Sequence, residues 1–185
     1  MKVVTRIVAA MFAVASLCAS AQYANAETST NQTPVSLQQL KAAPAAVYRI
    51  HNNNNSGTKC AAIPGASKAQ GERVIQLGCG TWPDHYWYFV DAGNGLYKIV
   101  NNNSNMCLAI PGASKAQGEG VIQWPCGNWP DHYWYFVDAG NSRYRIVNNN
   151  SNMCLAVPGA SGSDGVQLIQ WPCGDWPDHF WYFTS

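Results

Sequence analysis

The stretch WPDHYWYF runs from Trp82 to Phe89, returns unchanged from Trp129 to Phe136, and appears again as WPDHFWYF from Trp176 to Phe183. Three copies at a constant step of 47 residues mark a structural unit used three times, not a single motif. The surrounding sequence keeps the same step. Cys60, Cys107 and Cys154 repeat at 47, and so do Cys79, Cys126 and Cys173. Tyr48, Tyr97 and Tyr144 open the units, and the first unit carries two extra residues between His51 and Lys59.

Each unit reads as short strands. Tyr144 to Asn148 alternates, Cys154 to Val157 and Val121 to Trp124 are brief apolar runs, and Tyr133 to Val137 is aromatic and β-branched. Asn-rich, Pro-Gly and Gly-rich turns separate them, and no segment sustains a helical period. This predicts about four strands per unit and about twelve in all. Three such units in an open row would leave sheet edges unpaired, and a propeller normally needs at least four blades. Closure into one pseudo-three-fold barrel with hairpin caps, an all-β β-trefoil, is the economical solution.

The run CLAVPGASGSDGVQLIQWPCGDWPDHFWYF, Cys154 to Phe183, resembles the repeat of the ricin-B-type lectins, the β-trefoil carbohydrate-binding modules. The resemblance extends from Val47 to Ser185. Two departures stand out: His85, His132 and His179 replace the family's closing Gln, and Ala62, Ala109 and Ala156 replace its Asp two residues after the first Cys. The resemblance implies sugar pockets built from an aromatic residue two before the second Cys, a polar side chain three before the closing Trp, and backbone near the Pro-Gly turn. These map to Trp124, Asp131 and Gly112 in the second unit, and to Trp171, Asp178 and Gly159 in the third. The first unit keeps Asp84 but has Gly78 in place of the Trp, with Leu77 beside it, so its pocket loses the platform. An aromatic face suits the C–H side of a sugar ring, and fixed polar groups beside it read hydroxyls.

Upstream of the repeats, Lys2 and Arg6, the apolar run Ile7 to Leu17 and the small-x-small sequence Ala24-Asn25-Ala26 have the layout of a secretory signal peptide. Cleavage after Ala26 is expected. The bulky Leu17 before Cys18 argues against a lipid anchor there, and the apolar run is too short to span a bilayer. Residues 27–43 are polar and free of aromatics, and read as a flexible lead-in in which Val35 to Leu40 has some helical character. Residues 44–185 form the trefoil domain. Without Lys2 and Arg6, nine Lys and Arg face ten Asp and Glu, so no basic field exists to hold a phosphate backbone, and nucleic acid is excluded as a partner.

Six cysteines then remain, an even number in a secreted chain, and a disulfide framework follows. Of the possible connectivities, repetition favours Cys60–Cys79, Cys107–Cys126 and Cys154–Cys173. Asp131 and His132, read as neighbours on a strand, point to opposite faces and make no dyad. His132 is read instead as a buried neutral ring holding the backbone of a turn, with Trp134 filling the core. A three-histidine metal site on the pseudo-axis is the sharper alternative. Trp82, Trp129 and Trp176 are read as hairpin staples rather than pocket walls. The Asn runs are read as turn caps, and each contains an Asn-x-Ser acceptor pattern. With no repeated nucleophile and no second carboxylate, catalysis is not expected, nor is a metal or cofactor. The expected protein is a secreted, extracellular monomer that binds polysaccharide or cell-surface glycan without inserting into a membrane. The alternative is a trefoil that binds a protein partner, for example as an inhibitor, and a glycosidase stands behind both.

Overall fold

The computed structural model describes residues 34–42 and 46–185. Twelve strands are present in this part, four per repeat. The first repeat contains β1 (Tyr48–Asn52), β2 (Lys59–Ala62), β3 (Ile75–Gly78) and β4 (Tyr86–Gly93). The second contains β5 (Leu96–Asn101), β6 (Met106–Ala109), β7 (Ile122–Pro125) and β8 (Trp134–Asp138). The third contains β9 (Tyr144–Asn148), β10 (Cys154–Ala156), β11 (Ile169–Trp171) and β12 (Trp181–Thr184).

The first and last strands of each repeat close a six-stranded barrel, β1-β4-β5-β8-β9-β12, every neighbour antiparallel. Closure comes from β1 on β12, where Arg49 lies opposite Thr184 and Asn52 opposite Trp181. The middle strands pair as three hairpins, β2–β3, β6–β7 and β10–β11, which meet one another through single bridges such as Arg73 with Ile122 and Gly120 with Ile169. The predicted β-trefoil is thus the observed one.

Strand alternation builds the core directly. In WYF, the Trp and Phe point inward and the Tyr between them points out. Phe89, Phe136 and Phe183 meet on the pseudo-axis with centroids 5.2 to 5.6 Å apart, steeply tilted edge to face. Trp87, Trp134 and Trp181 are fully buried, and each indole Nε1–H donates to a carbonyl of its own hairpin (Ala61, Leu108 and Leu155) at 2.9 Å. Truncating one of these to alanine costs about 3–5 kcal/mol. The axis is therefore filled by phenylalanine, and the three histidines do not converge there, which removes the axial metal site from consideration.

The three disulfides join Cys60 to Cys79, Cys107 to Cys126 and Cys154 to Cys173, each within its repeat as expected. Of the expected lead-in, residues 34–42 are described, and they are packed instead of flexible. Val35 N–H donates to the Phe183 carbonyl at 2.8 Å, and Leu37–Ala42 is a short helix with Leu40 buried in the core. Ser36 and Gln39 cap it reciprocally: Gln39 N–H donates to Ser36 Oγ, and Ser36 N–H donates to Gln39 Oε1. The expected signal peptide lies outside the described residues.

Two Trp-walled clefts as the candidate site

Two clefts occupy equivalent places in the second and third repeats. One, of about 410 Å3, is lined by Trp124, Trp129, Asp131, His132 and the Ile110–Ala113 turn. Its counterpart, of about 340 Å3, is lined by Trp171, Trp176, Asp178, His179 and the Val157–Ala160 turn. Every residue the sequence nominated in these repeats (Trp124, Asp131 and Gly112; Trp171, Asp178 and Gly159) is brought to one cleft or the other.

The WPDH segment is not a strand, which corrects the sequence reading of Asp131 and His132. Pro at the first position fixes φ, and Pro130–His132 forms one turn of 3-10 helix, as do Pro83–His85 and Pro177–His179. The turn places Asp and His side by side, with His132 Nε2 3.6 Å from Asp131 Oδ2 and both nearly buried. His132 Nδ1 accepts from the Gly127 N–H at 3.3 Å, so the neutral ring carries its proton on Nε2, facing the carboxylate. His85 and His179 repeat this on Gly80 and Gly174. Burial lowers the pKa of all three below the ordinary 6.5, the adjacent Asp opposes that shift, and a cation (Arg49, Lys98 or Arg145 respectively) adds to it. The expectation of a ring that holds a turn is met, with the Asp as its second neighbour.

Trp129 and Trp176 act as walls as well as staples. They are about half exposed and border the clefts, while each ring lies on a glycine: a Cβ at Gly127 would fall 1.9 Å from Trp129 Cζ3. Opposite, Trp124 and Trp171 stand on β7 and β11. Alanine forms the inner wall, since Ala109 and Ala156 are 1% exposed where a carboxylate would otherwise reach in. Each cleft therefore offers two indole faces and one carboxylate.

The Pro-Gly-Ala turns need support, because Gly112 has φ +60 and the following Ala113 φ +52, a conformation alanine adopts at a cost. Support comes from the next repeat. Asn148 Nδ2 donates to the Asp131 carbonyl at 2.8 Å and Asn150 Nδ2 to the Ala113 carbonyl at 2.7 Å. Around the ring, Asn52 and Asn54 serve Asp178 and Ala160, and Asn101 and Asn103 serve Asp84 and Ala66. The Asn runs cap their own turns as expected, and this second task was not foreseen. Nor were the buried Gln76, Gln123 and Gln170, whose amides donate to two carbonyls of the preceding repeat's loop.

The first repeat differs. Pairing puts Leu77 opposite Cys60, as Trp124 is opposite Cys107, so Leu77 and not Gly78 replaces the platform. Asp84 keeps the buried place of its counterparts. His51, Cys60 and Cys79 cluster here, but both sulfurs are in a disulfide and are no metal ligands.

The profile of the ricin-type β-trefoil lectin domain-like family matches residues 37–124 and, overlapping, 83–171. Among solved structures, a designed three-fold symmetric protein, ThreeFoil, is 31% identical with a TM-score of 0.73, over 75% of this chain and 98% of that one. An exo-β-1,3-galactanase from Clostridium thermocellum is 27% identical with a TM-score of 0.72, over 76% of this chain but 30% of the enzyme. The C-terminal half of the earthworm R-type lectin, solved with GalNAc, shares the fold at 19% identity and a TM-score of 0.59, over 75% of this chain and 98% of that one. No curated protein matches the sequence.

Proposed function

The chain belongs to the ricin-type β-trefoil lectin domain-like family, and from that membership we propose that it is a non-catalytic carbohydrate-binding protein acting through the two Trp-walled clefts. One observation carries this reading. Both clefts set two indole faces around a single buried carboxylate, Asp131 or Asp178, which fits a pyranose ring: C–H faces against the indoles, hydroxyls donating to the carboxylate. The first repeat, with Leu77 for the platform, contributes little. Three disulfides and the signal-peptide layout of the first 26 residues support an extracellular site of action on polymeric or cell-surface glycans.

The test is a glycan array probed with the disulfide-bonded protein and with the Trp124→Ala/Trp171→Ala double variant. Signals lost in the double variant support the reading. A blank array with the wild type, together with a protein partner captured through the same faces, would replace it with the protein-binding alternative.

A further inference from the structure

A second hollow lies behind the third-repeat cleft, between β8, β9 and the turn after the last disulfide. It is lined by Tyr135, Arg145 and Asn152 on one side and by Cys173, Gly174 and Asp175 on the other. The turn from Cys173 to Trp176 is the ridge between the two: Trp176 borders the Trp171 cleft, and the three residues before it border the hollow. Trp171 and Cys173 are two residues apart, so no more than about 7 Å of chain separates the platform from the hollow.

The lining suits a second saccharide. Tyr135 presents a ring, and its Oη donates to Asn152 Oδ1 at a slack 3.4 Å, a bond a sugar hydroxyl can exchange into. Arg145 is paired with the exposed Asp175 and held by the Gly174 carbonyl. The hollow therefore offers donors and an acceptor with no net charge, which favours a neutral sugar over a uronate or sulfate.

The first repeat supplies an independent observation. At the equivalent junction of β12 and β1, Tyr182 stacks on His51 at 4.7 Å, and a Cβ on Gly57 would fall 1.9 Å from Tyr182 Oη. That junction is filled by side chains, and Cys79 beneath it is half-buried where Cys173 is exposed. The repeat whose platform has become Leu77 is thus also the repeat whose rear hollow is closed. Where the platform is Trp171, the hollow is open.

We infer that the Tyr135–Asn152–Asp175 hollow is a second subsite, continuing the Trp171 cleft across the Cys173–Trp176 ridge, so that the third repeat holds two or more neutral sugar units of one oligosaccharide. This rests on the carbohydrate-binding reading of the cleft.

The experiment titrates the 15N-labelled protein with neutral galacto-, xylo- and cello-oligosaccharides of one to four units, following amides near Trp171 separately from those of Asn152 and Gly174. With the series that binds, the monosaccharide should shift only the Trp171 set. Longer members should shift both sets and bind on the order of tenfold tighter at this repeat. Tyr135→Ala should remove that length gain while leaving monosaccharide affinity unchanged. Val137→Trp, a substitution at an exposed residue bordering the hollow, should do the same by filling it. Equal length gain in both variants, or no response of Asn152 and Gly174 to any length, overturns the second subsite while leaving the cleft standing. Failure of every series to shift even the Trp171 set overturns both.

Discussion

At the scale of the residue, the informative position is the histidine of WPDH. His132 accepts from Gly127 through Nδ1, and a protonated ring has no lone pair left to accept with. The depressed pKa gives the sign of the pH response. The unfolded chain binds these protons at higher pH than the folded one, so the neutral rings contribute stability that is complete above about 6.5 and lost as pH falls through the lower folded values. Denaturant midpoints should fall from pH 7 towards pH 5, and the imidazole resonances should titrate below 6.5. A flat stability profile across that range would contradict it. That His132 is buried and bonded was legible from its place in the repeat. Its contact with Asp131 was not, because a strand reading separates neighbours and only the φ of Pro130 turns the segment into a helical turn that unites them. The alanines at 62, 109 and 156 were legible as a loss of acceptors, and the structure adds that they form an apolar inner wall.

At the scale of the element, each cleft is held by the strand that follows it in the ring. Asn150 bonds the exposed-side carbonyl of Ala113 without being part of the cleft itself. Asn150→Ala removes one hydrogen bond, about 0.5–1.5 kcal/mol, so glycan affinity at the Trp124 cleft should drop roughly two- to tenfold. The Trp171 cleft should be unaffected, which site-resolved NMR titration can check. Such cross-repeat bonds could not be read from sequence, since a 47-residue repeat shows what recurs but not which copy touches which. The first-repeat platform was misplaced by one residue: the position two before Cys79, and 47 before Trp124, is Leu77, and the pairing of Cys60 with Leu77 agrees. That correction makes a prediction. The loop glycines Gly71 and Gly118 lie 3.6 Å (at a placed Cβ) from Trp124 and Trp171, whereas the matching Gly165 has nothing within 4 Å, so Leu77 leaves room that an indole can fill. Leu77→Trp should rebuild the first cleft beside Asp84 and raise the calorimetric stoichiometry from two sites to three. An unchanged stoichiometry with a folded variant would place the defect elsewhere in the repeat.

At the scale of the whole molecule, the period of 47 was enough to predict a closed β-trefoil, because three half-buried units with free edges have few other ways to satisfy their strands. The helix Leu37–Ala42 was legible as helical character over Val35 to Leu40, but its packing was not, the signal being one capping box and an apolar Leu40 in a polar stretch. Closure also fixes how binding scales. The Trp124 and Trp171 clefts sit on one barrel, clamped by the Phe89–Phe136–Phe183 cluster and three disulfides, so their separation and orientation are set before a ligand arrives. Once one cleft is engaged on a dense glycan surface, the other meets its ligand at an effective concentration fixed by that geometry, and avidity exceeds single-site affinity by about 10²- to 10⁴-fold. Removing one platform should then act differently on soluble and immobilised ligand. Trp171→Ala should halve the number of sites for a soluble oligosaccharide while leaving the remaining affinity intact. On an immobilised polysaccharide the same variant should dissociate about a hundredfold faster, and Trp124→Ala should behave alike. A loss on the surface no larger than the loss in solution would mean that the two clefts cannot engage one surface together, and that each repeat works alone.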